Sequence, residues 1–256
     1  IARALRKLEA TVVIVGRSPT KTQAIARELG ADYYLADFAR LNDVRQLAAK
    51  LLETYPHIDV LMNNAGLVWH KRELTVDGHE TTFQVNHLAP FLLTNLLKSR
   101  LAASRARIIN TSSKGNTFRT AHVNLDDLEF EHNFTPMTAY TTTKLENIMF
   151  TKELASRWAA KGIHAVSYHP GDVASSFGIT GPRFISLFMR SPLKHLLLIA
   201  PQEAADTPTW LATTTPGADW QSCGYYYKRQ LWAYNPQADD AAVRQSLWEQ
   251  SLELVG

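Results

Sequence analysis

Short runs of β-branched and aliphatic residues alternate along this chain with longer segments whose apolar positions recur at helical spacing. Thr11 to Val15, closed by Gly16, is such a run, and it has no polar face. A strand of that kind is buried on both sides, as in a parallel sheet covered by helices. Tyr33 to Ala36, Ile58 to Met62, Arg107 to Thr111 and Gly162 to Tyr168 repeat the pattern. Ile1, Leu5 and Leu8 share one face of a helix over 1–9. Ser18-Pro19 opens a helix that Gly30 closes, and Asn42 is placed to cap another ending near Thr54. Residues from about Gly78 to Leu101 read as one long helix, and Pro136 to Ala160 as a second. The alternation predicts an α/β fold, a Rossmann-like doubly wound parallel sheet with helices on both faces and right-handed crossovers. The 256 residues suit one domain over 1–256. In such a fold ligands bind at the carboxyl ends of the strands.

Composition removes several function classes. With 45% apolar and 20% charged residues the chain can build a core, so disorder is excluded. A net charge of +3 without a basic stripe argues against nucleic acid as the main partner. The single cysteine, Cys223, excludes an intramolecular disulfide and a multi-cysteine zinc site, suits a reducing cytoplasm, and is expected to be a packed structural residue. The histidines show no HxxxH or HExxH spacing, so no metal is assigned. Asp126 to His132 reads as a solvated loop. No apolar run reaches the ~20 residues that span a bilayer, so no transmembrane segment is expected. Phe184 to Ala200 is the most apolar stretch, interrupted by Arg190, Pro192, Lys194 and His195. It suits a substrate lid over 176–200, although Phe184, Leu187, Phe188, Met189 and Leu196 to Ile199 would serve equally in a core or between copies of a homo-oligomer.

The residues just after each expected strand carry the chemistry. Arg17 follows the first; a guanidinium there would meet a 2′-phosphate where a carboxylate would meet a ribose, although a solvated arginine at a helix entry has the same sequence. Ser18 stands beside it. Asp37-Phe38 follows the second strand and suits the edge and face of an adenine, or an ordinary helix entry. Asn63-Asn64-Ala65-Gly66 lets a flat ligand lie on the backbone, or ties strands together through its amides. Ser112-Ser113 places hydroxyls after Thr111. Tyr140 and Lys144 are i and i+4 on a helix, so phenol and ammonium share one face. A buried ammonium favours the phenolate and brings the phenol toward the range of a general acid/base. His169-Pro170-Gly171-Asp172-Val173-Ala174-Ser175 is a rigid turn followed by a hydroxyl.

In this order the residues resemble the short-chain dehydrogenase/reductase superfamily, over most of the chain. Asn63 to Gly66 matches its NNAG element, Ser113 its catalytic serine, Tyr140 and Lys144 its YxxxK pair, and Pro170, Gly171 and Ser175 its PGxxxT-like element. The resemblance also brings in Asn86, in FQVNHLAPFLLT, as the asparagine of the catalytic tetrad. Arg17-Ser18, HPG, the spacing of Ser113 and Tyr140, and the segments APQEAADTPTWLATTTPG and LWEQSLELVG look most like the retinol dehydrogenase and WW-domain oxidoreductase-like branch. That implies an NADP(H)-dependent oxidoreductase interconverting a small hydrophobic alcohol and its carbonyl. Asn86, Ser113, Tyr140 and Lys144 would be catalytic. Arg17, Ser18, Asp37, Phe38, Asn63, Ala65, Gly66, Tyr140, Lys144, Pro170, Gly171, Val173 and Ser175 would bind the cofactor. Thr143 replaces the usual serine before the lysine. The superfamily's first strand and TGxxxGxG loop do not occur here, and Ile1 already reads as part of the helix that follows them; the resemblance implies a preceding segment of roughly 15–20 residues, or a truncation. That absence carries a second reading, a catalytically silent interaction or regulatory protein with weak or no nucleotide binding.

Overall fold

A computed structural model describes residues 1–171 and 200–256. Val173, Ser175 and all but Ala200 of the expected lid lie outside the described residues. The chain opens with α1 (Ala2–Lys7), β1 (Val13–Gly16), α2 (Pro19–Leu29), β2 (Asp32–Leu35) and α3 (Leu41–Thr54). It continues with β3 (Val60–Asn63), α4 (Thr81–Phe83), a π-helical turn (Gln84–Leu88), α5 (Ala89–Leu96), α6 (Lys98–Ala103) and β4 (Arg107–Thr111). A 3-10 turn (Lys114–Thr117), α7 (Pro136–Trp158) and β5 (His164–Tyr168) complete the central part. After the undescribed stretch come α8 (Pro201–Ala204), α9 (Asp206–Thr213), β6 (Tyr225–Tyr227), β7 (Gln230–Leu231) and α10 (Ala241–Val255).

β3, β4, β5 and β6 form a parallel sheet in that order, and β7 adds an antiparallel edge. The β6–β7 turn uses Lys228 and Arg229, both at positive φ, which matches the twist of a tight hairpin. β1 and β2 pair in parallel as a second sheet, and no ladder joins β1 to β3 among the described residues. β4 and β5 are buried on both faces, as their lack of polar alternation implies, but β1 and β2, paired with each other in the smaller sheet, leave Val15, Tyr33 and Leu35 exposed against that expectation. Ile108 and Ala165 face the larger core, with Leu88, Phe91, Ile148, Phe150, Leu154 and Trp248. Their neighbours Ile109 and Val166 face the other side, with Tyr168, Leu211 and Trp220, against which Ile1 and Leu5 of α1 pack. Helices thus cover both faces, as doubly wound α/β architecture requires.

Local chemistry explains most boundaries. Ser18 accepts the Lys21 N–H at 3.4 Å, Pro19 follows, and Gly30 closes α2 in the left-handed conformation. Gly16 is needed because a Cβ there would come within 2.4 Å of the Thr22 hydroxyl, so β1 and α2 could not meet as they do. Other expectations are corrected. Asn42 does not cap α3: the helix starts after Arg40, and the Leu41 N–H is taken by Asp77 at 2.8 Å, from far along the chain. The expected helix from 78 to 101 is broken into α4, the π turn, α5 and α6. Leu8 is exposed, because α1 ends at Lys7 before its face returns. Cys223 is exposed rather than packed; its positive φ turns the side chain outward ahead of β6. The 126–132 loop is less solvated than expected, with Leu128 and Phe130 buried. No helix among the described residues is long and apolar enough to cross a membrane.

Candidate active site

Three loops gather at the carboxyl ends of β3, β4 and β5, and α7 runs alongside β4 and β5. The Asn63 amide is buried and donates to Asn110 Oδ1 at 2.9 Å and Thr94 Oγ1 at 3.1 Å. Asn110 in turn donates to Thr151 Oγ1 of α7 at 2.9 Å. This polar chain ties β3, β4, α5 and α7 together, so the Asn63 side chain is committed to the scaffold. The exposed Asn64 accepts from Thr111 Oγ1 and the Tyr168 hydroxyl, each at 3.3 Å, and Ala65 is exposed beside it.

Asn86 sits inside the π turn, where the wider helical ring breaks the α register. Its side chain satisfies both backbone groups of Leu67, accepting the N–H at 2.8 Å and donating to the carbonyl at 2.9 Å. It also donates to Thr143 Oγ1 at 3.0 Å, and Thr143 donates to the Tyr140 carbonyl at 2.9 Å. The threonine that departs from the superfamily pattern therefore keeps a linking hydroxyl between Asn86 and the helix turn that presents Tyr140.

Lys144 is 3% exposed, with its Nζ 5.6 Å from the Tyr140 ring centroid and donating to the Thr111 carbonyl at 3.2 Å. Gly66 makes room for it: a Cβ there would stand 3.1 Å from Lys144 Nζ and 3.3 Å from Asn86 Oδ1. Lys144 Nζ and Asn86 Oδ1 thus both border Gly66, with the Tyr140 ring adjoining the ammonium. Ser112 Oγ donates to the Lys144 carbonyl at 2.6 Å, which anchors α7 to the end of β4. Ser113, half-exposed, starts the 3-10 turn and accepts the Gly115 N–H at 3.1 Å. Gly115 packs on Thr141, the residue after Tyr140.

Burial lowers the Lys144 ammonium to about 8 from its ordinary 10.5. Between those values the unfolded chain holds a proton that the folded chain has released. Stability should therefore rise with pH across that window, by about 3 kcal/mol in total. Urea denaturation at rising pH should show this slope in the cofactor-free protein and its loss in Lys144→Met. An unchanged slope in the variant would assign the titration elsewhere.

The remaining candidates are spread around this centre. His169 Nδ1 accepts the Gly171 N–H at 3.1 Å, across Pro170, and its ring stacks on Tyr227 with centroids 4.1 Å apart. Gly171 has φ +85°, which accounts for its glycine. Arg17 is exposed at the end of β1, and Ser18 is occupied as the α2 cap. Asp37 accepts the Ala39 N–H at 3.1 Å, and Phe38 packs partly against the core. One residue beside the Tyr140–Lys144 centre escaped the sequence. Tyr225, in β6, is buried and takes a hydrogen bond from Asn116 at 3.1 Å. Burial pushes its phenol well up, and the neighbouring Tyr140 adds to that rise while bonds from Ser112 and Asn116 oppose it. Nothing in a Tyr-Tyr-Tyr strand distinguishes that one ring.

Comparison with known proteins gives consistent likenesses. The family model described as "Enoyl-(Acyl carrier protein) reductase" matches residues 1–216. A protein of Streptomyces sp. (strain C5), provisionally named daunorubicin C-13 ketoreductase, is 40% identical over 262 residues, covering 100% of this chain and 87% of the relative. Human retinol dehydrogenase 13 is 35% identical over 258 residues, covering 96% of this chain and 77% of that protein. Among solved structures, an uncharacterized protein from Mycobacterium paratuberculosis superposes with a TM-score of 0.75 at 28% identity, over 99% of this chain and 88% of its own.

Proposed function

Because this chain belongs to the short-chain dehydrogenase/reductase superfamily, in its retinol dehydrogenase-like branch, we propose that it is an NADP(H)-dependent oxidoreductase that interconverts a small hydrophobic alcohol and its carbonyl. Alcohol–carbonyl oxidoreduction with a nicotinamide nucleotide is the superfamily's chemistry; NADP(H) and the hydrophobic substrate are the finer assignment. One observation carries it: a buried ammonium, Lys144, beside the Tyr140 ring, with Gly66 leaving space at its nitrogen.

The residues fit the dinucleotide. A side chain at Gly66 would fill the space next to Lys144 Nζ, so the backbone there can lie close to a flat ligand. Lys144 has three N–H donors and uses one on Thr111, which leaves two for ribose hydroxyls. Arg17 would hold a 2′-phosphate, Asp37 and Phe38 would border the adenine, and Asn63, Ala65, Pro170 and Gly171 would shape the backbone along the groove. Val173 and Ser175 belong to the same expectation. When bound, the nicotinamide supplies or accepts the hydride.

In reduction, Tyr140 gives its hydroxyl proton to the carbonyl oxygen, and in oxidation it takes the proton from the alcohol. Lys144, charged below about pH 8, favours the phenolate through its positive charge. Ser113 donates to the oxygen as negative charge develops on it. Asn86 acts by holding the Leu67 loop and, through Thr143, the Tyr140 turn at fixed separation. The assignment includes one domain over 1–256, with 176–200 as its apolar lid, and a reducing compartment such as the cytoplasm for the exposed Cys223 thiol.

Cofactor choice is testable at Arg17. The wild-type protein should bind NADPH at least about tenfold more tightly than NADH, the scale of one charge-assisted hydrogen bond. Arg17→Asp should invert that order in a fluorescence titration. Equal affinities in wild type would remove NADP(H) from the assignment.

A further inference from the structure

The face of α7 turned away from Tyr140 and Lys144 borders a cavity of about 410 Å³. Thr138, Thr142 and Glu146 recur every fourth residue and form one stripe along that wall. Tyr140 and Lys144, two positions out of step, fall on the opposite side of the helix. Leu128 and Phe130 of the preceding loop are buried and form the apolar part of the opposite wall. Thr120 and His122 are exposed at its mouth.

Glu146 lies at the bottom. It is 0% exposed, and neither of its carboxylate oxygens has a hydrogen-bond partner. Leaving so polar a group unpaired in the interior is costly, and a native cavity that ends on one has room for what would satisfy it. The charges nearby have the same sign. Glu80 is also 0% exposed, and Glu129 stands between Glu80 and His79. His79 pairs with Glu129 at 2.7 Å, so its ring is spent on that carboxylate. Arg72 spends its guanidinium on the Glu129 backbone carbonyl and, at 3.8 Å, on Glu131. Asp127, on the cavity wall, accepts the N–H groups of Glu131 and His132 and has the His132 ring at 3.6 Å. On the π turn, His87 is buried and stays neutral, held near 3 by its burial. His122 at the mouth is the remaining titratable group of the cavity lining.

We propose that this cavity is a binding site for a small organic cation, a primary alkylammonium ion whose head rests on the Glu146 carboxylate and whose methylenes lie on Leu128 and Phe130. The Thr142 oxygen, one turn from Glu146, offers an acceptor for another N–H group. No group of three metal-ligating side chains occurs among the described residues, which favours an organic cation over a metal ion. The site is separate from the reacting centre and does not depend on its chemistry. Burial, reinforced by Glu129 and Glu80, raises Glu146 well above the ordinary carboxylate range, which favours its protonated form while the cavity lacks a cation. An ammonium ion selects the ionised form. A proton that Glu146 holds must leave as the ligand enters, so affinity climbs with pH until the free carboxyl is itself ionised and falls once the amine deprotonates near ~10.4.

The test is isothermal titration of the full chain with n-butylammonium chloride, with n-butanol and butyrate as neutral and anionic isosteres. Phosphate and HEPES buffers differ in protonation enthalpy, neither contains a primary ammonium group, and together they reveal proton release. Saturable one-to-one binding with release of up to about one proton is expected, weakening by about three- to tenfold per unit fall in pH near neutrality. Glu146→Gln should weaken binding by at least about tenfold. Thr138→Leu, which fills the cavity without touching Glu146, should also abolish binding, and serves if the first variant fails to fold. Absence of binding at millimolar ligand, equal binding of butanol, binding without proton release, or full affinity in a folded Glu146→Gln protein would each overturn the proposal.

Discussion

Tyr140→Phe should fold like the wild type and bind cofactor with similar affinity, yet lose at least about 10²–10⁴ of its turnover. The substitution removes one oxygen and keeps the ring that adjoins Lys144 Nζ. The bonds that hold this turn in place run through backbone and other side chains: Thr143 to the Tyr140 carbonyl, Asn86 to Thr143, and Ser112 to the Lys144 carbonyl. The scaffold around position 140 should therefore survive, while the proton donor does not. Steady-state reduction of a hydrophobic ketone, with NADPH binding measured in parallel, separates the two. A large fall in turnover with intact binding supports Tyr140 as acid and base. Near wild-type turnover in the variant would refute that role and return the catalytically silent reading to the front.

Phe91→Ala should cost about 3–5 kcal/mol of stability, the range for emptying a large buried aromatic site. Phe91 is 0% exposed and touches Trp248 of α10 at 4.9 Å, Phe150 of α7 at 5.2 Å and His87 of the π turn at 5.9 Å between centroids. The hole would open where three helices meet, with no small neighbour to collapse into it. In thermal unfolding the midpoint should fall by roughly 6–20 °C. Activity per folded molecule, measured well below that midpoint, should fall far less than in Tyr140→Phe. Leu252→Ala, at an exposed position, is the control and should shift the midpoint little. A shift in Phe91→Ala no larger than this control would show that the aromatic cluster does not hold the larger core.

Much of the architecture was legible because parallel strands buried on both faces announce themselves as unbroken β-branched runs. Arg107 to Thr111 was read to the residue. The site was legible for a related reason: strand ends fix where a crevice can be, so Asn63 to Gly66, Ser113 and the Tyr140–Lys144 pair could be placed before any coordinates. What sequence missed depended on distant partners. Asn42 was the better intrinsic cap, but Asp77 supplies the acceptor from another loop. The π turn hides in FQVNHLAPFLLT because a single wide turn leaves no mark on a nearly continuous apolar run. Glu146 looks like a solvated helix charge, and only the packing of the 120–133 loop over α7 shows it to be buried. Likewise, no local signal marks Tyr225 as a neighbour of Tyr140.

The π turn makes the helix that carries Asn86 sensitive to length more than to composition. Within Gln84 to Leu88 the chain holds more residue per turn than an α-helix would. A one-residue deletion there would let the backbone relax into regular α-helix with its flanks nearly in phase, since the wide turn absorbs just that extra residue. Phe91, beyond the turn, would keep its place in the aromatic cluster, whereas Asn86, inside it, would lose the wide ring that aims it at Leu67 and Thr143. A point substitution elsewhere in the turn leaves that ring in place; a change of one residue in length removes it. Insertions and deletions should therefore be purged from this stretch more strictly than amino-acid replacements, the reverse of what a surface loop experiences.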